Sequence, residues 1–276
     1  MLPKALTIAG SDSGGGAGIQ ADLKTFQELD TFGMSVITAV TAQNTEGVQG
    51  VYPVESEGID QQITSVMDDI GTDAVKTGML FDKEIIGIVA EKARYYKWPN
   101  LVVDPVMVST SGSKLLKNEA IDALINELIP QAAIITPNIP EAKELTGLPI
   151  QTVDEKKNAV KEMYKMGASA VLLKGGHEKN KGKVVDLFYD GRTFHYLSVS
   201  EIDTPHTHGT GCTYAAAITA NLAKGLPLSE AVRKAKMFIH AAIMHGFSIG
   251  KGPGPTNHAA LRLYPDAGVE MEVETE

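Results

Sequence analysis

The chain has 276 residues, with 25 Lys and Arg against 34 Asp and Glu and a formal net charge of −9. At 43% hydrophobic and 21% charged it has the composition of a folded globular protein rather than a disordered one. The acidic balance argues against general binding to nucleic acid or an anionic membrane, and the lone cysteine, Cys212, excludes an internal disulfide and a multi-cysteine zinc site.

Residues 1–10 hold one lysine and an apolar run too short to span a bilayer. They lead into a polar glycine loop without a signal-cleavage pattern, so a buried first strand and a cytoplasmic protein with no membrane partner are expected. Continuous apolar or β-branched runs follow at 5–9, 36–42, 74–79, 101–107, 132–136 and 170–173, the pattern of strands covered on both faces. Helix-like stretches at 19–29, 59–69, 83–96, 119–128 and 155–166 separate them. Strand and helix in alternation imply right-handed crossovers and a three-layer α/β/α fold with a mainly parallel sheet. Residues 184–189 and 193–199 flank Asp190-Gly191, a hairpin signal expected at the antiparallel edge of that sheet. Two closing helices are expected at 212–223 and 229–245.

No internal repeat or Pro/Ser-rich linker divides the chain, so one domain over 1–265 is expected, followed by an acidic tail at 266–276. The tail holds five acids and no base, and Val269, Met271 and Val273 alternate with glutamates. It reads either as a frayed end or as an edge strand pairing with a loop or a second subunit.

The loop from Gly10 to Gly18 lies between strand and helix, where glycines let a backbone approach a ligand closely. It is neither a dinucleotide fingerprint, since the second strand ends Thr41-Ala42-Gln43-Asn44 without an acid, nor a Walker A loop. It is a tight turn or, with Asp22 one helical turn beyond Gly18, the floor of a small polar site. Asp104 stands at the carboxyl end of an apolar strand, where open α/β sheets bind ligands; a turn or capping aspartate is the plainer alternative. Residues 109–113 are small and polar, as in a movable lid. Asn138 fits a helix cap before Pro140, with Glu141 at the capping-box position. Together with Asp104 these residues also make an oxygen-rich patch suited to Mg²⁺. Lys174-Gly175-Gly176 at a strand end suits a phosphate, or else a solvated loop.

The strongest motif is Thr207-His208-Gly209-Thr210-Gly211-Cys212-Thr213 before an apolar helix. Gly209 and Gly211 free successive N–H groups to form an anion hole at a helix N-terminus, where a Cys212 thiolate is expected to be favoured. Cys212 is then a hydrolase nucleophile with His208, a buried small residue, or a group beside a transferring phosphate.

Taken together, Gly10-Ser11-Asp12, Gly15 through Lys24, Ala42 through Thr45, Lys76-Thr77-Gly78-Met79, Asp104 through Met107, Thr136-Pro137-Asn138 with Pro140-Glu141-Ala142, and His208 through Thr213 resemble the hydroxymethylpyrimidine/phosphomethylpyrimidine kinases of thiamin biosynthesis. The resemblance is collinear from Leu6 to His258. It implies a ribokinase-like fold and ATP-dependent phosphorylation of an aminopyrimidine hydroxymethyl group, then of the monophosphate to the diphosphate. It implies a substrate site near Gly10, Ala17, Asp22, Gln43 and Met79, with Gln43 offering donor and acceptor to the aminopyrimidine edge. It further implies Asp104 and Glu141 as holders of Mg²⁺, with Asn138, Lys174 and Thr210 toward ATP. The Gly209–Cys212 backbone would lie on the γ-phosphoryl, with Cys212 as the base that takes the hydroxyl proton. A homodimer is also implied.

Two departures stand out: Gly14 replaces a usual serine or threonine, and residues 108–113 lack the lysine and aspartate common in the lid. Pyridoxal kinases are the alternative, but they typically carry Met-Asp in place of Gln43-Asn44 and often a cysteine where Ser109 stands. A non-catalytic nucleotide-binding regulator is disfavoured by the complete set of Asp104, Glu141, Lys174 and Cys212.

Overall fold

The structure is a computed structural model that describes residues 2–107, 118–176, 182–265 and 271–276. The lid at 108–113 and residues 266–270 of the acidic tail lie outside the described residues.

Strand β1 (Lys4–Ala9), helix α1 (Gly18–Glu28) and β2 (Phe32–Ile37) form the first crossover, with β2 parallel to β1 and Ile8 opposite Val36. A separate antiparallel pair, β3 (Ala39–Asn44) and β4 (Gly47–Pro53), follows. The alternation resumes with α2 (Ser56–Asp69), β5 (Ala74–Thr77), α3 (Lys83–Tyr96), β6 (Leu101–Val103), α4 (Asn118–Ala123), β7 (Ile134–Ile135), α5 (Ile139–Thr146), α6 (Val153–Lys165) and β8 (Val171–Leu173). The chain closes through β9 (Lys183–Tyr189), β10 (Phe194–Ser200), α7 (Thr210–Ala223), α8 (Leu228–Met244), α9 (Ala260–Leu263) and β11 (Glu272–Thr275).

The main sheet runs β11-β10-β9-β8-β7-β6-β5-β1-β2, parallel from β2 to β8 and antiparallel from β8 to β11. Successive residues of the central strands feed opposite faces, as the two-residue strand period requires. Val103, Ile135 and Leu173 join Ile59, Ile86, Val89 and Val160 in one core. Val102, Ile134 and Leu172 join Ile218, Phe238 and Ile239 in the other. Helix α7 is apolar nearly all round and sits deep in the second layer, with Ala216 and Ala220 against Phe26 of α1. This burial brings its N-terminus up to the carboxyl ends of the strands.

Two expectations change. The run at 36–42 is not one strand: the chain leaves the sheet at Thr38, whose buried hydroxyl donates to the Met79 carbonyl at 2.7 Å. Beyond it, β3 alternates buried Ala39 and Thr41 with exposed Val40 and Ala42 and pairs with β4, a glycine-rich strand with too weak a pattern to be read as one. The hairpin expected at 184–199 forms as β9 and β10 in the antiparallel end of the sheet, but β11, not β10, is the edge strand there. The end of the tail forms an edge strand on its own chain: β11 pairs with β10, with Leu197 opposite Val273. Its glutamates meet lysines of the same chain, in the pairs Lys183–Glu272 and Lys157–Glu276. No helix among the described residues is long and apolar enough to cross a membrane.

Candidate active site

Where β6 ends, Asp104 is only 2% exposed, so its charge must be answered locally. Its Oδ1 accepts from the Thr136 hydroxyl at 3.0 Å and from Lys174 Nζ at 2.9 Å. Lys174 is held by its own backbone, whose N–H donates to the Pro137 carbonyl at 2.9 Å, so the ends of β7 and β8 stay in register. Asn138 caps α5 as the sequence suggests: its Oδ1 accepts from the Glu141 N–H at 2.8 Å, and Glu141 Oε2 accepts from the Asn138 N–H at 2.8 Å. That cap fixes Glu141 beside Lys174 and Asp104. Burial pushes the Glu141 carboxyl up to about 7, with Asp104 adding to the rise and Lys174 and the Asn138 and Met107 amides opposing it. Burial disfavours the Lys174 charge, but Asp104 and Glu141 outweigh it and raise its pKa.

The N-terminus of α7 faces this cluster. Gly209 caps it in the left-handed region at φ 79, and a Cβ there would lie 1.8 Å from the Gly16 carbonyl, so only glycine fits. Thr210 anchors the first turn, its N–H and hydroxyl donating to the Thr207 carbonyl at 3.2 and 2.7 Å. A Cβ built on Gly211 would stand 3.5 Å from Lys174 Nζ and 3.8 Å from Asp104 Oδ2, so the anion hole opens onto the buried pair. The expected thiolate is not found. Burial pushes the Cys212 thiol up to about 11, Asp22 and Asp104 reinforce the rise, and Lys76 and the Gly18 amide only partly offset it. His208 is committed elsewhere, with Nε2 2.8 Å from Asp12 Oδ2, which removes the support for a Cys–His hydrolase pair.

Asp12 is a site-organising residue for which sequence reasoning assigned no role. It is buried, and its carboxylate accepts from the N–H groups of Gly14 (2.8 Å), Gly16 (3.1 Å) and Ala17 (2.8 Å) as well as meeting His208. Burial would raise its pKa, yet the His208 contact and the Ala17 and Gly14 amides hold it below the usual carboxylate range. Asp12 thus shapes the first glycine loop and ties it to the segment that opens α7. Gly10 and Met79 are in contact, since a Cβ on Gly10 would meet Met79 Cε at 2.3 Å. Gln43, on β3, is fixed by its backbone: its N–H donates to Ser13 Oγ and its carbonyl accepts from the same hydroxyl, both at 2.8 Å. Its half-buried carboxamide has the Thr41 hydroxyl 3.4 Å from Oε1.

Asp22 is closed off from solvent but within electrostatic reach of Asp104 and Cys212. It is fully buried, with Lys76 Nζ at 2.9 and 2.8 Å from its two oxygens and the Thr7 hydroxyl donating at 2.6 Å. Burial raises its pKa against these partners. Lys76 is equally buried; burial opposes its charge, but Asp22, Cys212 and Asp104 hold its pKa above the ordinary lysine value. A lysine within the fully buried strand β5 was the signal for this pair. The structure therefore gathers Asp104, Glu141, Lys174, Gly209, Gly211 and Cys212, with Asn138 and Thr210 at the flanks. Gly10, Ala17, Gln43 and Met79 line the adjoining loop. Among the described residues, no group of three or more His, Cys, Asp or Glu side chains is poised to hold a metal alone.

A family model described as phosphomethylpyrimidine kinase matches residues 12–257. The hydroxymethylpyrimidine/phosphomethylpyrimidine kinase of Bacillus subtilis (strain 168) is 52% identical over 259 residues, covering 94% of this chain and 96% of that protein. The pyridoxine kinase of the same organism is 46% identical over 265 residues, covering 95% of this chain and 98% of that protein. Among solved structures, the pyridoxal kinase from Staphylococcus aureus in complex with AMP-PCP and pyridoxal matches with a TM-score of 0.90 and 40% identity, over 100% of this chain and 99% of that one.

Proposed function

Because the chain belongs to the phosphomethylpyrimidine kinase family, we propose that it uses ATP to phosphorylate 4-amino-5-hydroxymethyl-2-methylpyrimidine, and then the monophosphate to the diphosphate, in thiamin biosynthesis. It is an ATP-dependent kinase with a ribokinase-like fold. The observation that carries the pyrimidine assignment is Gln43, a carboxamide beside the glycine loop that can match the donor and acceptor edge of an aminopyrimidine. A second reading, pyridoxal or pyridoxine phosphorylation, draws on the close match to kinases of those names.

The chemistry follows from the residues. Asp104 and Glu141 supply two carboxylates, and Mg²⁺ is usually held by one or two carboxylates plus the phosphates and water, so the donor set fits that ion. Bound there, Mg²⁺ neutralises phosphate charge; Glu141 must give up its proton to take part. Lys174, tied to Asp104 in the free enzyme, turns its charge to the ATP phosphates, with Asn138 and Thr210 on the same side. The N–H groups of Gly209, Gly211 and Cys212 stabilise negative charge on the transferring γ-phosphoryl, the Thr210 N–H being held by the Thr207 carbonyl. Cys212 takes the proton of the attacking hydroxyl only as a thiolate, the form that the buried Lys76 charge and the Gly18 amide favour. Asp22 serves by holding Lys76 in place. Gly10, Ala17 and Met79 bound the ring.

The enzyme acts in the cytoplasm and forms a homodimer. Support for the dimer comes from Val40 and Tyr52, which face each other across β3 and β4 and are 51% and 65% exposed.

A side-by-side assay with Mg-ATP tests the function, following products of hydroxymethylpyrimidine, its monophosphate and pyridoxal by mass. Diphosphate formation with preference for the pyrimidine is expected. Preference for pyridoxal would move the enzyme to vitamin B6 salvage, and no turnover would overturn the kinase reading.

A further inference from the structure

Asp186 lies in β9, away from the reacting groups, yet it is a carboxylate only 2% exposed inside a strand. Both of its oxygens are used. Oδ1 accepts from the Gly175 N–H at 2.8 Å, and Oδ2 accepts from Lys236 Nζ at 2.6 Å. Lys236, on α8, is itself only 4% exposed, and its ammonium lies 5.9 Å from the ring centroid of Tyr214 on α7. One buried charge pair therefore touches the loop after β8 and the helix whose N-terminus forms the anion hole.

A purely structural explanation of the pair is weak. Replacing a buried ion pair by apolar residues of similar volume is often neutral or stabilising, so stability alone gives little reason for it. What the pair does hold is Gly175, the residue next to Lys174. A Cβ on Gly175 would sit 1.8 Å from the Val185 carbonyl, so this backbone is pressed flat against β9. Its N–H would then be a buried orphan without the Asp186 carboxylate. Lys174, fixed on one side by the Pro137 carbonyl and on the other by Gly175, reaches Asp104 Oδ1 at 2.9 Å.

We infer that Asp186 is a positioning residue for the nucleotide phosphates: through its hydrogen bond to Gly175 it sets where Lys174 stands relative to Asp104 and Glu141. Lys236 holds the Asp186 carboxylate in orientation through its 2.6 Å contact with Oδ2. The inference rests on the reading that Lys174 binds ATP phosphates.

Two double variants of the full-length enzyme isolate the hydrogen bond, because both remove the buried charges. Asp186→Asn/Lys236→Met retains a carbonyl acceptor for the Gly175 N–H, whereas Asp186→Leu/Lys236→Met does not. The asparagine variant should keep its KM for ATP within about twofold of the natural enzyme, and the leucine variant should raise it about tenfold. The KM for the pyrimidine should stay within about twofold in both. Equal ATP KM values in the two doubles, or a parallel rise for both substrates, would overturn the inference. Lys174→Met serves as the control. If it changes neither turnover nor ATP KM, the ATP-site reading fails and the inference with it; if it does and the doubles agree with each other, only the inference fails. Should the leucine variant not fold, amide exchange in the natural protein decides: the Gly175 N–H is expected to exchange as slowly as the sheet amides, and exchange at the rate of an open loop would refute the inference.

Discussion

At the carboxyl ends of β6 to β8, Asp104, Glu141 and Lys174 are enclosed charges that answer one another, whereas around the first loop and β3 the surface is made of backbone amides, Met79 and the half-buried carboxamide of Gln43. The first region is electrostatic, so its behaviour depends on pH, and under the proposed function its groups exchange partners with phosphates. The second works by shape and hydrogen bonds on a loop that Asp12 and His208 hold, and a change at Gln43 or Met79 leaves the charges around Asp104 untouched. Relatives named for a pyrimidine and for pyridoxine both match nearly the whole chain, as expected if substrate choice lies in the second region alone. The Asp22–Lys76 pair lies beneath the junction of the two.

The sharpest way to break this division is at that junction. Lys76→Met leaves Asp22 buried without a counter-charge and should lower unfolding free energy by about 3–5 kcal/mol, read from the denaturant midpoint. Full stability in that variant would mean that the pair is not part of the frame. Cys212→Ala should lower kcat by about 10²-fold with an unchanged melting curve, the range of a lost general base. Unaltered turnover would reduce Cys212 to packing.

The pH dependence separates the regions further. Burial raises the Glu141 carboxyl to about 7 in the fold, above its ordinary value, so it retains a proton over a window in which the unfolded chain has lost it. Stability of the ligand-free protein should therefore decline as pH rises toward 7, while kcat/KM for ATP should increase as Glu141 ionises, about tenfold per unit below that point. Glu141→Gln should remove both effects, which denaturation and kinetic pH profiles would reveal. Gln43→Ala should raise the pyrimidine KM about tenfold with ATP KM unchanged; an equal rise in both would erase the boundary between the regions. The smallest effect is expected far from either. Deleting residues 271–276 removes β11 and its exposed ion pairs and should lower the melting midpoint only slightly without altering KM for either substrate.

Much of the fold was legible because its signals are local. Apolar runs covered on both faces marked β1 and β5 through β8, the Asp190-Gly191 turn marked the β9–β10 hairpin, and the Asn138–Glu141 capping box appeared as read. The β3–β4 pair was not legible, since a glycine-rich strand that leaves the sheet carries no strong alternation. The clustering of Asp104, Glu141, Lys174 and the first turn of α7 follows from strand ends in a parallel sheet, and the residues themselves were visible as motifs.

By itself the sequence determined the layer architecture, the residue types of the proposed phosphate region and the glycines on which its backbone geometry depends, because periodicity, caps and steric freedom act over a few neighbouring residues. Only the tertiary structure decided the partners and protonation of the buried charges. Asp12 turned out to bind His208, Asp22 to bind Lys76, Asp186 to hold Gly175, and Cys212 to remain a thiol despite its place at a helix N-terminus. Pairing and desolvation depend on groups tens to nearly two hundred residues apart in the chain, and local sequence does not encode which of them meet.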